Sequence, residues 1–269
     1  MSDPVIGTTV LHRVEGGVSH ITLNRPDAAN ALLAEMRNAV IDLLAEADAD
    51  SAIRAVALRS NGRHFCSGAD VGGIAAGTPA HPVVGDATRR IMQGAQRLVA
   101  SILDCGKPVV AVVQGPAAGL GAHVAYACDM VVAADTAFFL EPFLLRGIIV
   151  DAGGAYMLPR MVGMQRAKEL ALLGDKLPAA EAKELGLVNR VVPADQLDAV
   201  ADELLARLAG LPTTAVALTK RLFNRSFDGD RAASFLQEAM SQELQSKSFD
   251  STEGISAFME RRPTQFQGR

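Results

Sequence analysis

The sequence predicts an α/β fold that is followed by a helical extension. Short apolar segments with strand character alternate with helix-like segments through the first part of the chain. Two of the strand segments, IRAVALRS and KPVVAVVQG, are mostly continuous in apolar residues, which is typical of parallel strands buried on both faces. From Pro193 to residue 269, nearly every segment has helical character. We therefore expect an α/β core at 1–195 and, at 196–269, a helical region that serves in oligomerisation or as a lid.

The first elements can be assigned from local patterns. The segment TTVLHRVEGGVSHITLN alternates on both sides of EGG, which predicts a β-hairpin with Gly16 and Gly17 in the turn. Apolar residues then recur at helical spacing, among them Leu33, Met36 and Val40, and predict a helix. IRAVALRS follows as a short buried strand.

The middle of the chain continues the same alternation. A glycine-rich loop begins at GRHFCSGAD, and 71–85 is the best candidate for a mobile segment. We expect a helix to start at Asp86, which is a plausible N-cap, and to run through RLVASILDC. KPVVAVVQG is the next strand, PAAGLGAHVAYAC a loop and then a helix, and DMVVAAD and AFFL two further strands. The remaining helices are predicted at ADQLDAVADELLARLAG, PTTAVALTKRLFNRS, DRAASFLQEAMSQELQSKSF and STEGISAFMERR.

Composition excludes several classes of function. The 269 residues carry a net charge of −4, which argues against general nucleic-acid binding. Three scattered cysteines without CxxC spacing, and no His/Cys/Asp cluster at ligand spacing, predict neither disulfides nor a metal site. The N-terminus has no signal-peptide pattern and no long apolar run is unbroken, so we expect a cytoplasmic protein that does not span a membrane.

Two glycine-containing turns each follow a buried strand. Glycine lets a backbone approach a ligand closely, and a helix start offers unpaired N–H groups. Two such turns facing each other can aim two amides at one carbonyl oxygen, but both also fit tight connections without a ligand. Neither matches a nucleotide-binding fingerprint, because GPAAGLGAH lacks both a P-loop lysine and the third glycine of GxGxxG. The turns consist of Ser67, Gly68, Ala69 and Asp70, and of Gly119, Leu120 and Gly121.

Six segments in register resemble landmarks of the crotonase (enoyl-CoA hydratase/isomerase) superfamily. They are NRPDAANAL, HFCSGAD, KPVVAVVQGPAAGLGAHVAYACDMVVAAD, RGIIVDAGGAYMLPRMVG, LLGDKLPAAEAKELGLVNRVVP and EGISAFMERR, and they extend from about residue 8 to 266. The resemblance implies a spiral of ββα turns with the C-terminal helical extension, in a homotrimer or dimer of trimers. It also implies an acyl-CoA substrate and no separate cofactor, since coenzyme A is part of the substrate.

The resemblance also implies the residues of the site. The oxyanion hole is formed by the backbone amides of Ala69 and Leu120. Leu120 stands where a glycine is often found, which narrows the space beside the thioester. The residues expected to bind substrate or coenzyme A are Arg25, Ala28, Cys66, Ser67, Gly68, Asp70, Gly119, Gly121 and Phe143.

The chain departs from the pattern of the hydratases, which use two glutamates. The place of the first glutamate is taken by His123, and that of the second, about twenty positions further along, by Phe143. Hydration needs an activated water and a proton donor, which is work for paired carboxylates. What remains is Asp151, at a place where some isomerase branches carry their base and one dehalogenase branch a nucleophile. We therefore expect Asp151 to be catalytic. His123 matches a catalytic place and either faces the substrate or is a packing residue on an apolar helix face.

Alternatives to this assignment remain open. Asp151 precedes AGGAY, so helix capping alone would explain it. Glu141 lies two residues before Phe143 and faces the same side of an extended segment, although an ion pair with Arg146 is a simpler role for it. Three functions follow: an acyl-CoA isomerase with Asp151 as base, which we favour; a hydratase with a rearranged acid/base set of Glu141 or Asp151 with His123; and an acyl-CoA binding protein without catalysis.

Overall fold

The computed structural model describes residues 5–6, 8–70, 72 and 83–269. Most of the loop predicted at 71–85 therefore lies outside the described residues. The strands are β1 Val5–Ile6, β2 Val10–Glu15, β3 Val18–Leu23, β4 Ala55–Ser60, β5 Val109–Val113, β6 Ala117–Ala118, β7 Met130–Ala134, β8 Phe138–Leu140, β9 Leu177–Pro178 and β10 Arg190–Val192.

Helices occupy most of the longer segments between these strands and most of the C-terminal region. They are α1 Ala34–Ala49, α2 Asp86–Ile91, α3 Arg97–Asp104, α4 Leu120–Ala127, α5 Gly154–Val162, α6 Met164–Leu173, α7 Ala179–Glu184, α8 Leu197–Ala209, α9 Thr213–Arg225, α10 Arg231–Gln245 and α11 Phe249–Glu260. A π-helical segment, Met92–Gln96, joins α2 to α3.

The main sheet of the described chain has seven strands in the order β1-β2-β3-β4-β5-β7-β10. The first three pair antiparallel, and every pairing from β3 onwards is parallel. The predicted hairpin is confirmed: Val14 pairs with Ser19 and Glu15 with Val18, and Gly16 and Gly17 have φ of +58° and +76°. Only glycine adopts two successive left-handed conformations at little cost, which fixes the turn.

Apolar layers cover both faces of the main sheet. On β4, Val56 and Leu58 belong to the larger core, which α1, α3 and α4 also enter, while Ala55 and Ala57 belong to a smaller core with α8. A strand with both faces covered loses its polar alternation, which explains the continuous apolar pattern in the sequence. The small alanine side chains let α8 approach the sheet closely.

Helix α4 runs through the interior between the sheet and α3. All eight of its residues are buried, including His123 and Tyr126. A helix that is apolar around its whole circumference needs protein on every side, and α4 satisfies that requirement. The N-terminus of α4, at Leu120, therefore points from the interior towards the space in front of the helix.

A second, smaller sheet sets the geometry in front of α4. Strand β8 pairs in parallel with β6 and antiparallel with β9, so that Ala118 lies opposite Leu140. The Gly119 amide continues the ladder by donating to the carbonyl of Leu140 at 2.9 Å. This register brings Glu141 beside the start of α4.

The C-terminal helices pack in two ways. Helix α9 is anchored to the core by Lys220, whose ammonium donates to Asp129 at 2.7 Å and to the carbonyl of Ile102 at 3.1 Å. Helix α10 packs chiefly on α9 and buries none of its residues fully. The division at residue 195 and the oligomerisation or lid role of 196–269 stay predictions. No helix in the described part of the chain has the length and apolar character needed to cross a membrane.

The cap predicted at Asp86 and the cap weighed as an alternative at Asp151 are both absent, and for the same reason. Helix α2 has Gly85 at its N-cap and α5 has Gly153, both left-handed, and neither cap involves a side-chain hydrogen bond. Asp86 is the first helical residue and pairs with Arg89. Asp151 lies two residues before the cap of α5, and only its backbone carbonyl bonds to Gly154, at 2.9 Å. The carboxylate of Asp151 is therefore not occupied by capping.

Candidate active site

The two glycine turns lie side by side. Cys66 forms a parallel bridge with Ala117, and the Ala118 amide donates to the carbonyl of Cys66 at 2.9 Å. On its other side the first turn is held by Leu32, whose amide donates to Gly68 at 2.8 Å and whose carbonyl accepts from Asp70 at 3.2 Å. Segments that the sequence separates by fifty residues thus form one wall.

Glycine is required where the two turns touch. Gly68 has a φ of +107°, and a Cβ there would lie 3.0 Å from the Ala118 carbonyl and 3.7 Å from the Leu120 amide nitrogen. At Gly121 a Cβ would lie only 2.2 Å from the Cys66 carbonyl oxygen. Any side chain at Gly121 would push the two turns apart.

The amides of Ala69 and Leu120 make no hydrogen bond within the described part of the chain. For Leu120 this follows from its place as the first residue of α4, where N–H groups have no intrahelical partner. For Ala69 it follows from the bridge with Leu32, because the groups that bond to Leu32 belong to Gly68 and Asp70. The two amides are available to a ligand oxygen, and the α4 dipole favours negative charge there.

A buried acid and a buried histidine meet behind this wall. The Nε2 atom of His123 lies 2.9 Å from Oε2 of Glu141, and the two side chains are 0% and 4% exposed. The predicted pairing of Glu141 with Arg146 is wrong, since the parallel register of β6 and β8 turns the acid towards α4. The ring of His123 has no exposed surface, and a role for it towards the substrate stays a prediction. Sequence spacing gives no signal for this pair, which depends on the register of two short strands.

Phe143 closes the same region from the side. Its ring stacks on that of His123, with centroids 5.3 Å apart and planes 13° apart. The ring also comes within 3.6 Å of the place where a Cβ would sit on Gly119. Phe143 therefore supplies an apolar surface next to the second turn and leaves no polar group at its position.

Asp151 is half-buried and lies in the loop that leads into α5. Its carboxylate has no hydrogen bond or ion pair with the described residues. Burial raises the pKa of Asp151 above its ordinary 3.8, while His123 acts in the opposite direction. The next residue, Ala152, has a left-handed φ of +47°, a strained conformation for a residue with a Cβ.

Two of the residues predicted to bind substrate or coenzyme A, Arg25 and Ala28, lie on a loop that Asn30 holds beside the first turn. Asn30, fully buried at a φ of +53°, accepts from the Arg25 amide at 2.8 Å and donates to the carbonyls of Asn61 and His64 at 2.9 and 2.8 Å. Arg25 itself forms an ion pair with Asp70. The two predicted ligand-binding side chains therefore bind each other, which limits the charge that Arg25 offers to a phosphate.

Backbone contacts extend from this loop to the first turn. The Ser67 amide donates to the carbonyl of Ala29 at 3.0 Å, and the Ala28 amide donates to the carbonyl of Arg25 at 3.1 Å. Cys66 is fully buried, and burial raises the pKa of its thiol to about 12, which leaves no thiolate for chemistry. Cys66 contributes its backbone to the wall between the turns.

Comparisons with known proteins agree on one family. The sequence profile of the enoyl-CoA hydratase/isomerase family matches residues 13–269. A Rhodobacter capsulatus protein named "Probable enoyl-CoA hydratase" is 38% identical, covering 97% of this chain and 98% of its own. The Escherichia coli 1,2-epoxyphenylacetyl-CoA isomerase is 37% identical, covering 97% of this chain and 98% of its own. The solved structure of an enoyl-CoA hydratase/isomerase from Cupriavidus metallidurans aligns with a TM-score of 0.90 at 33% identity. The alignment covers 100% of this chain and 98% of that one.

These matches span the chain and define a crotonase-fold enzyme. The chain belongs to the enoyl-CoA hydratase/isomerase family, and the resemblance found in the sequence is confirmed. The α/β spiral with a C-terminal helical region is likewise confirmed as the fold. Hydratases and isomerases both occur among the relatives, so the family alone does not name the reaction.

Proposed function

We propose that the protein is an acyl-CoA isomerase that moves a double bond along the chain of an enoyl-CoA thioester, with Asp151 as its base. The observation that carries this proposal is the Asp151 carboxylate, half-buried and unengaged by the described residues. Burial raises its pKa, which brings a weak base closer to the range useful at neutral pH.

The reaction needs only one acid/base group and one anion site. Asp151 removes a proton from a carbon of the acyl chain, and the electron pair moves onto the thioester oxygen to form an enolate. The amides of Ala69 and Leu120 hold that oxygen and stabilise its charge. Asp151 then returns the proton to a different carbon, so the product has the same atoms as the substrate and the enzyme is regenerated.

Hydration has less support from the residues available. Adding water across a double bond calls for a water-activating group and a proton donor. The places of the two glutamates of hydratases correspond, by resemblance, to the fully buried His123 and the apolar Phe143. Glu141 is 4% exposed and bonded to His123. The isomerase from Escherichia coli, at 37% identity, is a precedent for isomerisation by a close relative.

The test uses enoyl-CoA thioesters with the double bond at either the αβ or the βγ position. Isomerisation leaves the mass unchanged, whereas hydration adds the mass of one water. We expect the first result, and a loss of about 10²- to 10⁴-fold in kcat for Asp151→Asn. Asp135→Asn, at an exposed acid, is the matched control. A product heavier by one water, or full activity in Asp151→Asn, would overturn the proposal.

We also infer self-association into a homotrimer or dimer of trimers. Large apolar side chains stand exposed in the C-terminal helical region, and such a surface is unusual for a monomer. The exposed residues include Phe223, Phe227, Phe235, Leu236 and Met240. Sedimentation velocity tests the inference, and a stable monomer would contradict it.

A further inference from the structure

The buried pair formed by Glu141 and His123 has no role in the proposed reaction. Burying a carboxylate and an imidazole costs free energy unless their polar atoms are hydrogen-bonded. Here the hydrogen bonding is incomplete, because Oε1 of Glu141 and Nδ1 of His123 are buried without a partner in the described chain. A polar pair retained under these conditions in an otherwise apolar interior is a candidate for function.

The ring of His123 supports the loop that carries Asp151. A Cβ at Gly154 would lie 2.3 Å from Cε1 of His123 and 2.8 Å from a methyl group of Val150. The backbone of the loop therefore lies directly on the imidazole ring, and Gly154 leaves the space that the ring fills. Phe143 stacks on the ring, and Glu141 binds its Nε2 atom.

We infer that Glu141 is a positioning residue for Asp151: through its bond to His123 it fixes the ring beneath the Val150–Gly154 loop, and with the ring the place of the base. This inference rests on the proposed function, since it takes Asp151 as the base. Glu141 acts through His123 and touches no substrate, in keeping with its burial.

The electrostatic effect of His123 on Asp151 has a defined direction. His123 lowers the pKa of Asp151 against the larger effect of burial. The bond to Glu141 holds the His123 ring in place beside the loop, so losing that bond loosens the group that lowers the pKa of Asp151. The pKa of Asp151 then rises, and the base becomes protonated at a higher pH.

Other ionisable groups around His123 are few. Tyr126, on the same helix, is buried, and its pKa is raised well above the usual value by burial and by Glu141, so it stays neutral. On α3, which packs against α4, Arg97 and Asp104 are exposed to solvent. Arg146 is exposed beyond Phe143. Among the described residues, His123 is the group with an electrostatic effect on Asp151.

The first experiment compares Glu141→Gln with wild type, using Glu169→Gln, at an exposed acid paired with Arg166, as the control. We expect the acid limb of the pH profile of kcat/KM to move up by about one unit. We expect kcat to fall about 10-fold, with KM unchanged within about twofold, because the base is displaced while the binding surface is intact. Carboxyl ¹³C NMR should give the same upward shift for Asp151 without any substrate.

A second variant separates this effect from stability. In Glu141→Leu with His123→Phe, apolar groups replace both partners, a change that often leaves stability intact. The double variant should fold, keep the ring that supports the loop, and show the same upward shift of the acid limb. An acid limb and an Asp151 titration at the wild-type pH in both variants would overturn the inference. Full activity in Asp151→Asn would instead overturn the proposed function, so the two failures are distinct.

Discussion

Replacing Gly121 by alanine tests whether the two glycine turns are pressed together. Gly121 is the second residue of α4, where alanine would ordinarily stabilise the helix by about 1 kcal/mol. Here the new Cβ would lie 2.2 Å from the carbonyl oxygen and 2.7 Å from the Cβ of Cys66, whereas ordinary contact begins at 3.4 Å. The obstacle is backbone, which cannot rotate away, so the turns must separate by about 1 Å.

The expected cost follows from these distances. Overpacking a rigid site costs about 3 kcal/mol at the upper end of the usual range, which exceeds the helix-propensity gain and leaves a net loss of about 2 kcal/mol. The melting temperature should then fall by roughly 4–8 °C. A displacement of about 1 Å between Ala69 and the Leu120 amide should lower kcat about 100-fold.

Differential scanning fluorimetry and steady-state kinetics on an enoyl-CoA measure the two effects. Gly229→Ala is the matched control, because its Cβ would meet nothing nearer than 3.9 Å, from the Ala233 Cβ. If Gly121→Ala melts at or above the wild-type temperature and turns over at the wild-type rate, the close contact with Cys66 does not exist in solution.

Three further predictions concern stability. Asn30→Ala should lower the free energy of unfolding by about 3 kcal/mol in urea titrations, because three side-chain hydrogen bonds are lost at about 1 kcal/mol each; a loss below about 1 kcal/mol would contradict this. Burial lowers the pKa of His20 from 6.5 to about 4, so the unfolded chain binds more protons between these values. Stability should therefore fall as the pH drops from 6.5 towards 4, and urea titrations of His20→Gln should lose that part of the dependence. Lys220→Met should cost about 3 kcal/mol in urea titrations, since it leaves Asp129 unpaired, and adding Asp129→Asn should recover part of it; no recovery would mean that the ion pair is not the cause.

Local patterns in the sequence predicted most of the fold. The hairpin, the apolar strands β4 and β5 and the four C-terminal helices depend on turn chemistry and on periodicity within one segment. The helix starts were less predictable. At both α2 and α5 an acid stands close to a glycine, and the backbone conformation of Gly85 and Gly153 decided where the helix began.

The candidate site likewise has parts that the sequence predicted and parts that it did not. The two glycine turns were predicted because each turn is a short, continuous motif after a strand. The pairing of Arg25 with Asp70 was not, because it joins side chains 45 positions apart. The pairing of His123 with Glu141 was missed because it depends on which strands of the small sheet are neighbours.

The sequence by itself determined the family, the alternation of strands and helices, and the loss of both glutamates at the hydratase positions. Tertiary structure decided that Asp151 is free of capping, that Glu141 turns inward to His123, and that the ring of His123 supports the loop that carries Asp151. The physical reason is that propensities and turns act over a few residues. Burial and pairing, in contrast, are set by which distant segments the folded chain brings into contact.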